Sequence, residues 1–231
     1  MKRFYTEVGV VTAANGFGVT LDAKPLGTPA KAPLAVPSRS LAEAIAAEWR
    51  GQDSDVTLND LPLTRLASTA IDLVTARRPE VVADIVRYAG TDLVCYRAGH
   101  PPELAQRQHD AWQPLIDWAV LRYDAPLEVT VGVVPVAQLP ATLRAFAAAV
   151  EGYSPFELAA LHTATAACGS LVVALALFEG RLEADGAFAA SQLDESFEIE
   201  QWGEDAEQMR RRAALKDDIA LAHRFVTLLR G

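Results

Sequence analysis

Cysteine is scarce in this sequence. The only two, Cys95 and Cys168, each lie inside an apolar run, which argues against a disulfide framework or a cysteine-based zinc site and fits a reducing compartment. The opening MKRFYTEVGV has neither the apolar stretch of a signal peptide nor the Arg/Ser-rich amphipathic character of a transit peptide, so a bacterial cytoplasm is expected. A phosphate-cradling glycine loop is missing too. Gly16-Phe17-Gly18 has no third glycine and opens no helix, and hairpin chemistry accounts for both glycines. Repeats and low-complexity tracts are absent. Most telling is a gap in positive charge: no Lys or Arg occurs between Glu183 and Glu207, where nine acids fall. The net charge of −9 belongs to that stretch, because the rest of the chain balances at 21 acids and 21 bases. Nucleic acid is a poor partner for such a surface, since phosphate binding needs clustered cations.

What is present is a large apolar complement, 51% of 231 residues, enough for one large or two small domains. The organising stretch runs from Ser154 to Gly180. Ser154, Pro155 and Glu157 suit an N-cap, the first helical position and the third, with Ser154 and Glu157 forming a capping box. Gly180 suits the left-handed residue past the end. From Leu158 to Phe178, 16 of 21 residues are Ala, Val, Leu, Phe or Cys and none carries a fixed charge. One helix over 155–179 would be roughly 35–40 Å long. Its Ala/Thr-rich first half, with His162 inside it, favours the central post of a helical domain over a membrane span. Ala167 and Gly169 are expected at a close helix contact.

Residues 1–37 read as strands and turns, with Asn15-Gly16 as a hairpin signal. Ser38 or Ser40 caps a helix that ends at Gly51, Ser40 and Glu43 having capping-box spacing, and a polar hinge follows over 52–60. Helical periodicity begins at Pro62 and recurs to the C-terminus. It includes a helix from Ala187 to Trp202 and a last one from Ala206, capped by Asp205. Residues 127–134 (LEVTVGVV) read as a strand available to the N-terminal sheet, while 92–96 (DLVCY) are too short to assign. The expected fold is α+β: a small antiparallel-sheet domain with one packed helix (1–60), then a mainly α-helical domain (61–231) built around helix 155–179.

Three chemistries compete for the polar residues. A nucleophile at Cys168 or Ser170 with His162 fails on helical spacing, and Cys168 reads as a core residue. Metal binding by Asp194, Glu195 and Glu198 with His109 or His223 lacks an ordered ligand loop, and nothing singles out a pair of catalytic acids. A small-molecule enzyme using the 194–205 segment remains the alternative from another class. The third reading is a binding surface, acids around Phe197, Ile199 and Trp202, suited to a basic and partly apolar partner. Whether Trp202 is core or contact stays open, as does the plainer possibility of solvated helices.

A set of motifs spread along almost the whole chain narrows this. They are Lys2-Arg3-Phe4-Tyr5, the run from Val19 to Pro37, Leu41 to Trp49 with Gln52, PLTRLA from Pro62, and Thr69-Ala70-Ile71-Asp72. Further along come DLVCYRA from Asp92, Arg107-Gln108 with Trp112, Pro114 and Leu115, Gly169-Ser170-Leu171, Leu193-Asp194-Glu195, Glu200 and Trp202-Gly203. Jointly the chain resembles the assembly-chaperone family for the F1-ATPase α subunit, known in mitochondria as ATP synthase F1 complex assembly factor 2. Ser68 departs from the pattern, where Asn is expected. The resemblance implies a non-enzyme without cofactor or metal, bacterial here and mitochondrial in eukaryotic relatives, and neither membrane-inserted nor nucleic-acid-binding. It implies a monomer that transiently holds the free α subunit until the β subunit replaces it. The partner-binding residues it implies are Asp194, Glu195, Glu200, Trp202 and Gly203, to which the acidic run itself adds Glu198 and Glu204.

Overall fold

The computed structural model describes residues 2–53 and 55–231; Met1 and Ser54, the latter in the expected hinge, lie outside the described residues. In chain order the elements are β1 (Val8–Ala13), β2 (Gly16–Leu21), β3 (Lys24–Pro25), β4 (Ala35–Val36), α1 (Arg39–Arg50), α2 (Pro62–Thr69) and α3 (Arg78–Arg87). There follow β5 (Tyr96–Arg97), α4 (Pro102–Tyr123), β6 (Thr130–Val131), α5 (Pro140–Glu151), α6 (Pro155–Cys168), α7 (Leu171–Phe178), α8 (Ala184–Ser191), α9 (Leu193–Trp202) and α10 (Ala206–Arg230). The chain divides into two compact units. One holds Met1–Arg78, Ser154–Ala160 and Arg224–Gly231, the other Pro79–Tyr153 and Leu161–His223. This partition differs from a single cut at residue 60: the first unit keeps α2 and takes residues from α6 and α10.

In the first unit β1 and β2 form a hairpin from Val8↔Leu21 to Ala13↔Gly16. Ala14 and Asn15 make the turn, and Gly16 opens β2 at φ +124°, where a Cβ would lie 2.3 Å from the Val36 carbonyl oxygen. β3 and β4 pair with β2. α1 buries Leu41, Ala42, Ile45, Ala46 and Trp49, the apolar face read from its period. Its cap is Ser38, whose Oγ accepts from Leu41 N at 3.2 Å; Ser40 lies inside the helix, so the Ser40–Glu43 box does not form. α2 has no side-chain cap of its own. Glu48 supplies one from α1, accepting from Leu63 N at 2.6 Å, Thr64 N at 2.9 Å and Thr64 Oγ1 at 2.8 Å.

The second unit is built around α7, whose eight side chains are all buried. The single helix expected over 155–179 is two helices. Gly169 takes φ +62°, Ser170 is extended, and Ser170 Oγ accepts from Val173 N at 3.0 Å, so α7 starts afresh. Nothing approaches a Cβ at Gly169 within 4 Å, so its role is the left-handed break and not a close helix contact. The new N-terminus meets Asp92, fully buried, which accepts from Ser170 Oγ, Leu171 N (2.8 Å) and Val172 N (3.1 Å) and caps its own turn through Val94 N (3.3 Å). Both ends of the apolar stretch follow their local signals. Ser154 and Glu157 form the reciprocal box at 2.9 and 3.3 Å, and Gly180 takes φ +68°.

The fixed 92–95 turn delivers β5, and residues 127–134 do not join the N-terminal sheet. Only Thr130–Val131 is strand, and it pairs in parallel with β5 (Tyr96↔Thr130, Arg97↔Val131), ending at Gly132 with φ +86°. DLVCY, too short to read alone, is a capped turn over Leu93–Cys95 that ends in Tyr96, the first residue of the partner strand. The helix expected from Ala187 to Trp202 also divides, at Gln192, into α8 and α9. Cys95 and Cys168 are buried, and desolvation pushes both thiols up to about 12, while His162 is exposed, which removes the nucleophile reading. Among the described residues no helix is long and apolar enough to cross a membrane.

Asp92→Ala leaves the Ser170 hydroxyl and two α7 amides without acceptors, and unfolding should become easier by about 3 kcal/mol or more. Burial pushes the Asp92 carboxyl up to about 6, against the pull of its four donors. The native state therefore keeps a proton that the unfolded chain has released, and the contribution of Asp92 to stability falls as pH rises from about 4 to 6 and is level above. Denaturant titrations of wild type and Asp92→Asn across that window should show their difference changing only there.

Candidate functional site

The acids of 194–205 lie on α9 and just beyond it. Asp194 and Glu195 occupy the first turn, where the helix dipole favours negative charge. Phe197 is buried and turns this helix toward α4. Two α4 residues hold it there. Gln108, almost fully buried, donates Nε2 to Asp194 Oδ1 at 2.7 Å while its Oε1 accepts from Ala98 N at 2.6 Å. Arg107 lies over the Phe197 ring at 5.2 Å and reaches both Glu200 oxygens, at 2.8 and 2.9 Å. From the other side Arg212 of α10 donates to Ser196 Oγ at 2.9 Å. Trp112 anchors the preceding helix through Nε1 to the Ala190 carbonyl at 2.8 Å.

Asp194 and Glu200, three residues either side of Phe197, therefore flank the packed face, each with a partner on α4. No Lys or Arg lies near Glu200 in the sequence. Its partner Arg107 is 93 residues away in sequence. Glu195, Glu198 and Trp202 fall at i, i+3 and i+7, a separate stripe. Glu198 is exposed and Trp202 is 87% exposed, which settles the question left open for the tryptophan: it is not core. Gly203 ends the helix at φ +88°, and exposed Glu204 follows. The seven expected residues are thus contiguous along one helix and its end. Acids at i, i+3 and i, i+4 repel one another by a few tenths of a kcal/mol per pair, and the contacts to α4 offset this only at Asp194 and Glu200. Among the described residues no group of three or more His, Cys, Asp or Glu could hold a metal ion.

Arg107 and Gln108 were legible as motif residues but not as the supports of the acids. Nothing local in sequence links α4 to α9.

The sequence model of the ATP12 chaperone protein matches residues 2–120. The chain belongs to the ATP12 chaperone family. It is 24% identical over 222 residues to the mitochondrial protein atp12 of Schizosaccharomyces pombe, covering 90% of this chain and 76% of that one. The crystal structure of Atp12 from Paracoccus denitrificans is 41% identical and superposes with a TM-score of 0.95, over 99% of this chain and 98% of that one. A mutant of P. denitrificans Atp12p gives the same identity and TM-score, with 97% of that chain covered. The Atu1473 protein of Agrobacterium tumefaciens is 43% identical with a TM-score of 0.94, over 99% of this chain and 86% of that one. The mixed fold of ATP12 chaperones, a small antiparallel sheet followed by a mostly helical region, is the fold expected from the sequence.

With both partners about half-exposed, the Arg107–Glu200 bridge contributes little to stability. Glu200→Gln should cost no more than about 1 kcal/mol, and Arg107→Ala more, because the Phe197 ring also loses its cover. A double-mutant cycle on thermal unfolding should return a coupling near 0.5 kcal/mol.

Proposed function

We propose that this protein is a chaperone of ATP synthase assembly that binds the unassembled F1 α subunit, keeps it soluble and gives it up to the β subunit. The observation that carries this reading is the stripe of half-buried Glu195 with exposed Glu198 and Trp202, continued by exposed Gly203 and Glu204, on a helix held by α4 in a member of the ATP12 chaperone family. It acts by binding, as a monomer in a bacterial cytoplasm, and uses no cofactor.

A free subunit exposes interface that is apolar at its centre, and such surface aggregates. A chaperone has to cover that surface and still lose it to the permanent partner. Charge serves both ends: it speeds encounter while leaving the affinity modest. Asp194 and Glu200 have partners within the protein, so the stripe beside them is the part free for a basic client surface, with Trp202 as its apolar anchor. Replacement by a tighter-binding subunit drives release without nucleotide.

Co-expression tests the reading. The α subunit should co-purify with this protein and stay soluble without ATP, and equal solubility in its absence would sink the proposal. Glu200→Lys frees Arg107 and places a second cation beside it. Such a variant should fold, bind α more weakly at low salt, and lose part of that deficit as salt rises. A folded variant with wild-type binding at low salt would remove Glu200 from the site.

A further inference from the structure

The first unit has a cavity of its own, of about 480 Å³. One wall is helix. α2 runs on into a wider π turn over Ala70–Val74, closed by Thr75 N on the Ala70 carbonyl at 3.1 Å, a device that recurs at functional sites. Arg65, Ser68, Thr69, Asp72 and Leu73 line the cavity from this wall, and Pro29 and Ala30 line it from the loop between β3 and β4. Asp72 fastens the two walls together. It accepts from Thr28 Oγ1 at 2.7 Å and from Ala30 N at 3.1 Å, while Thr28 Oγ1 accepts from Ala32 N at 3.1 Å. The cavity is thus preformed, and an occupant need not order it.

Polar groups at this cavity lack partners. Ser68 is only 7% exposed, yet no described residue hydrogen-bonds its hydroxyl, whereas that of the neighbouring Thr69 donates to the Arg65 carbonyl at 3.0 Å. A buried hydroxyl without a partner is costly to keep unless something entering the cavity uses it. The Arg65 guanidinium is exposed and has no ion pair or hydrogen bond among the described residues. The same holds for the ammonium of Lys31, next to Ala30, and the guanidinium of Arg77, one turn past Leu73. Asp72, the acid that lines the cavity, is already occupied by its two donors. Leu73 adds an aliphatic wall that is 55% exposed. This unit shares none of the acid excess of α9: residues 1–78 hold nine Lys or Arg and eight Asp or Glu.

We infer that this cavity is a second client site, opposite in sign to α9, which takes an apolar side chain and an adjoining Asp or Glu of the client polypeptide. The apolar group lies against Leu73 and Pro29, and the carboxylate accepts from Arg65 and the Ser68 hydroxyl. A helix face and a loop make only two walls, which cover a side chain projecting from a polypeptide but do not enclose a free small molecule. The opposite sign has a use. An acidic surface alone takes any basic chain, whereas a second contact that demands an acid rejects partners carrying positive charge only. A second copy of this chain fits less well, because two bodies of net charge −9 repel. The inference rests on the chaperone reading, so the test keeps the two apart.

Methyl NMR spectra of Ala30 and Leu73 are recorded on the wild-type protein alone and with the F1 α subunit, beside α binding by Arg65→Glu and Leu73→Ser. Both substitutions change exposed side chains, so unfolding midpoints should stay close to wild type. Expected are shifts of both methyl groups in the complex and roughly five- to tenfold weaker α binding by each variant. The Arg65→Glu deficit should shrink as salt rises, and the Leu73→Ser deficit should not. If wild type does not hold α, the functional reading fails and takes this inference with it. If wild type holds α with both methyl groups unmoved, or if either folded variant binds as wild type does, the inference alone is overturned. Should a variant not fold, the wild-type spectra decide. Shifts that grow with the concentration of the isolated protein would assign the cavity to a second copy, and full shifts from octanoate at concentrations matching α would assign it to a free carboxylate. Either would overturn the client assignment.

Discussion

Asp92 lies at the joint on which the second unit depends. Its carboxyl group is buried among four donors, three of them at the start of α7, the most apolar helix of the chain. A carboxylate at a helix start meets the positive end of the dipole and satisfies amides that would otherwise be orphaned in the core. Leu93 N closes the joint on the Gly169 carbonyl at 3.3 Å. From there the backbone runs straight into β5, β5 orients Gln108 through Ala98, and Gln108 fixes Asp194. The acidic surface is thus coupled through consecutive hydrogen bonds to the core of its own unit.

The first unit repeats the device. Glu48 caps α2 from α1, as Asp92 caps α7 from another segment. Burial raises the Glu48 carboxyl while the amides of Leu63 and Thr64 pull it down. In each case a helix whose own cap is incomplete borrows a side chain that must be desolvated to reach it. A borrowed cap costs desolvation, yet it ties together two elements that local capping would leave independent. That is one way to give a chain with small sheets and short helices a defined tertiary arrangement.

This also explains which parts were legible. Features set within a few residues were readable: the Ser154–Glu157 box, the left-handed Gly180, the Asp205 cap of α10 and the buried face of α1. The break at Gly169–Ser170 was not, because an apolar run reads as continuous until the acceptor for its new N-terminus is known, and that acceptor lies 79 residues from Leu171. The same holds for β6, whose partner is a two-residue strand with no periodicity to detect, and for Glu200, whose cation is on α4. Asp194, Glu195, Glu200, Trp202 and Gly203 could be named from motif resemblance, and Glu198 and Glu204 from the acidic run, but periodicity cannot tell an exposed helix-end tryptophan from a buried one. Tertiary placement decided Trp202.

An ATP12 chaperone must hold its client by a surface that its own fold does not consume. In this protein the packed side of α9 is taken up by Phe197, Arg107 and Gln108, and the stripe ending at Trp202 is left over. The most direct measurement is site-specific photo-crosslinking in cells, with a photoreactive amino acid in place of Trp202 and, separately, of Leu121, which is equally exposed at 88% but sits near the far end of α4 from Arg107. The account predicts a crosslink to the F1 α subunit from position 202 and none from position 121. No α adduct at 202, or equal adducts from both positions, would contradict it.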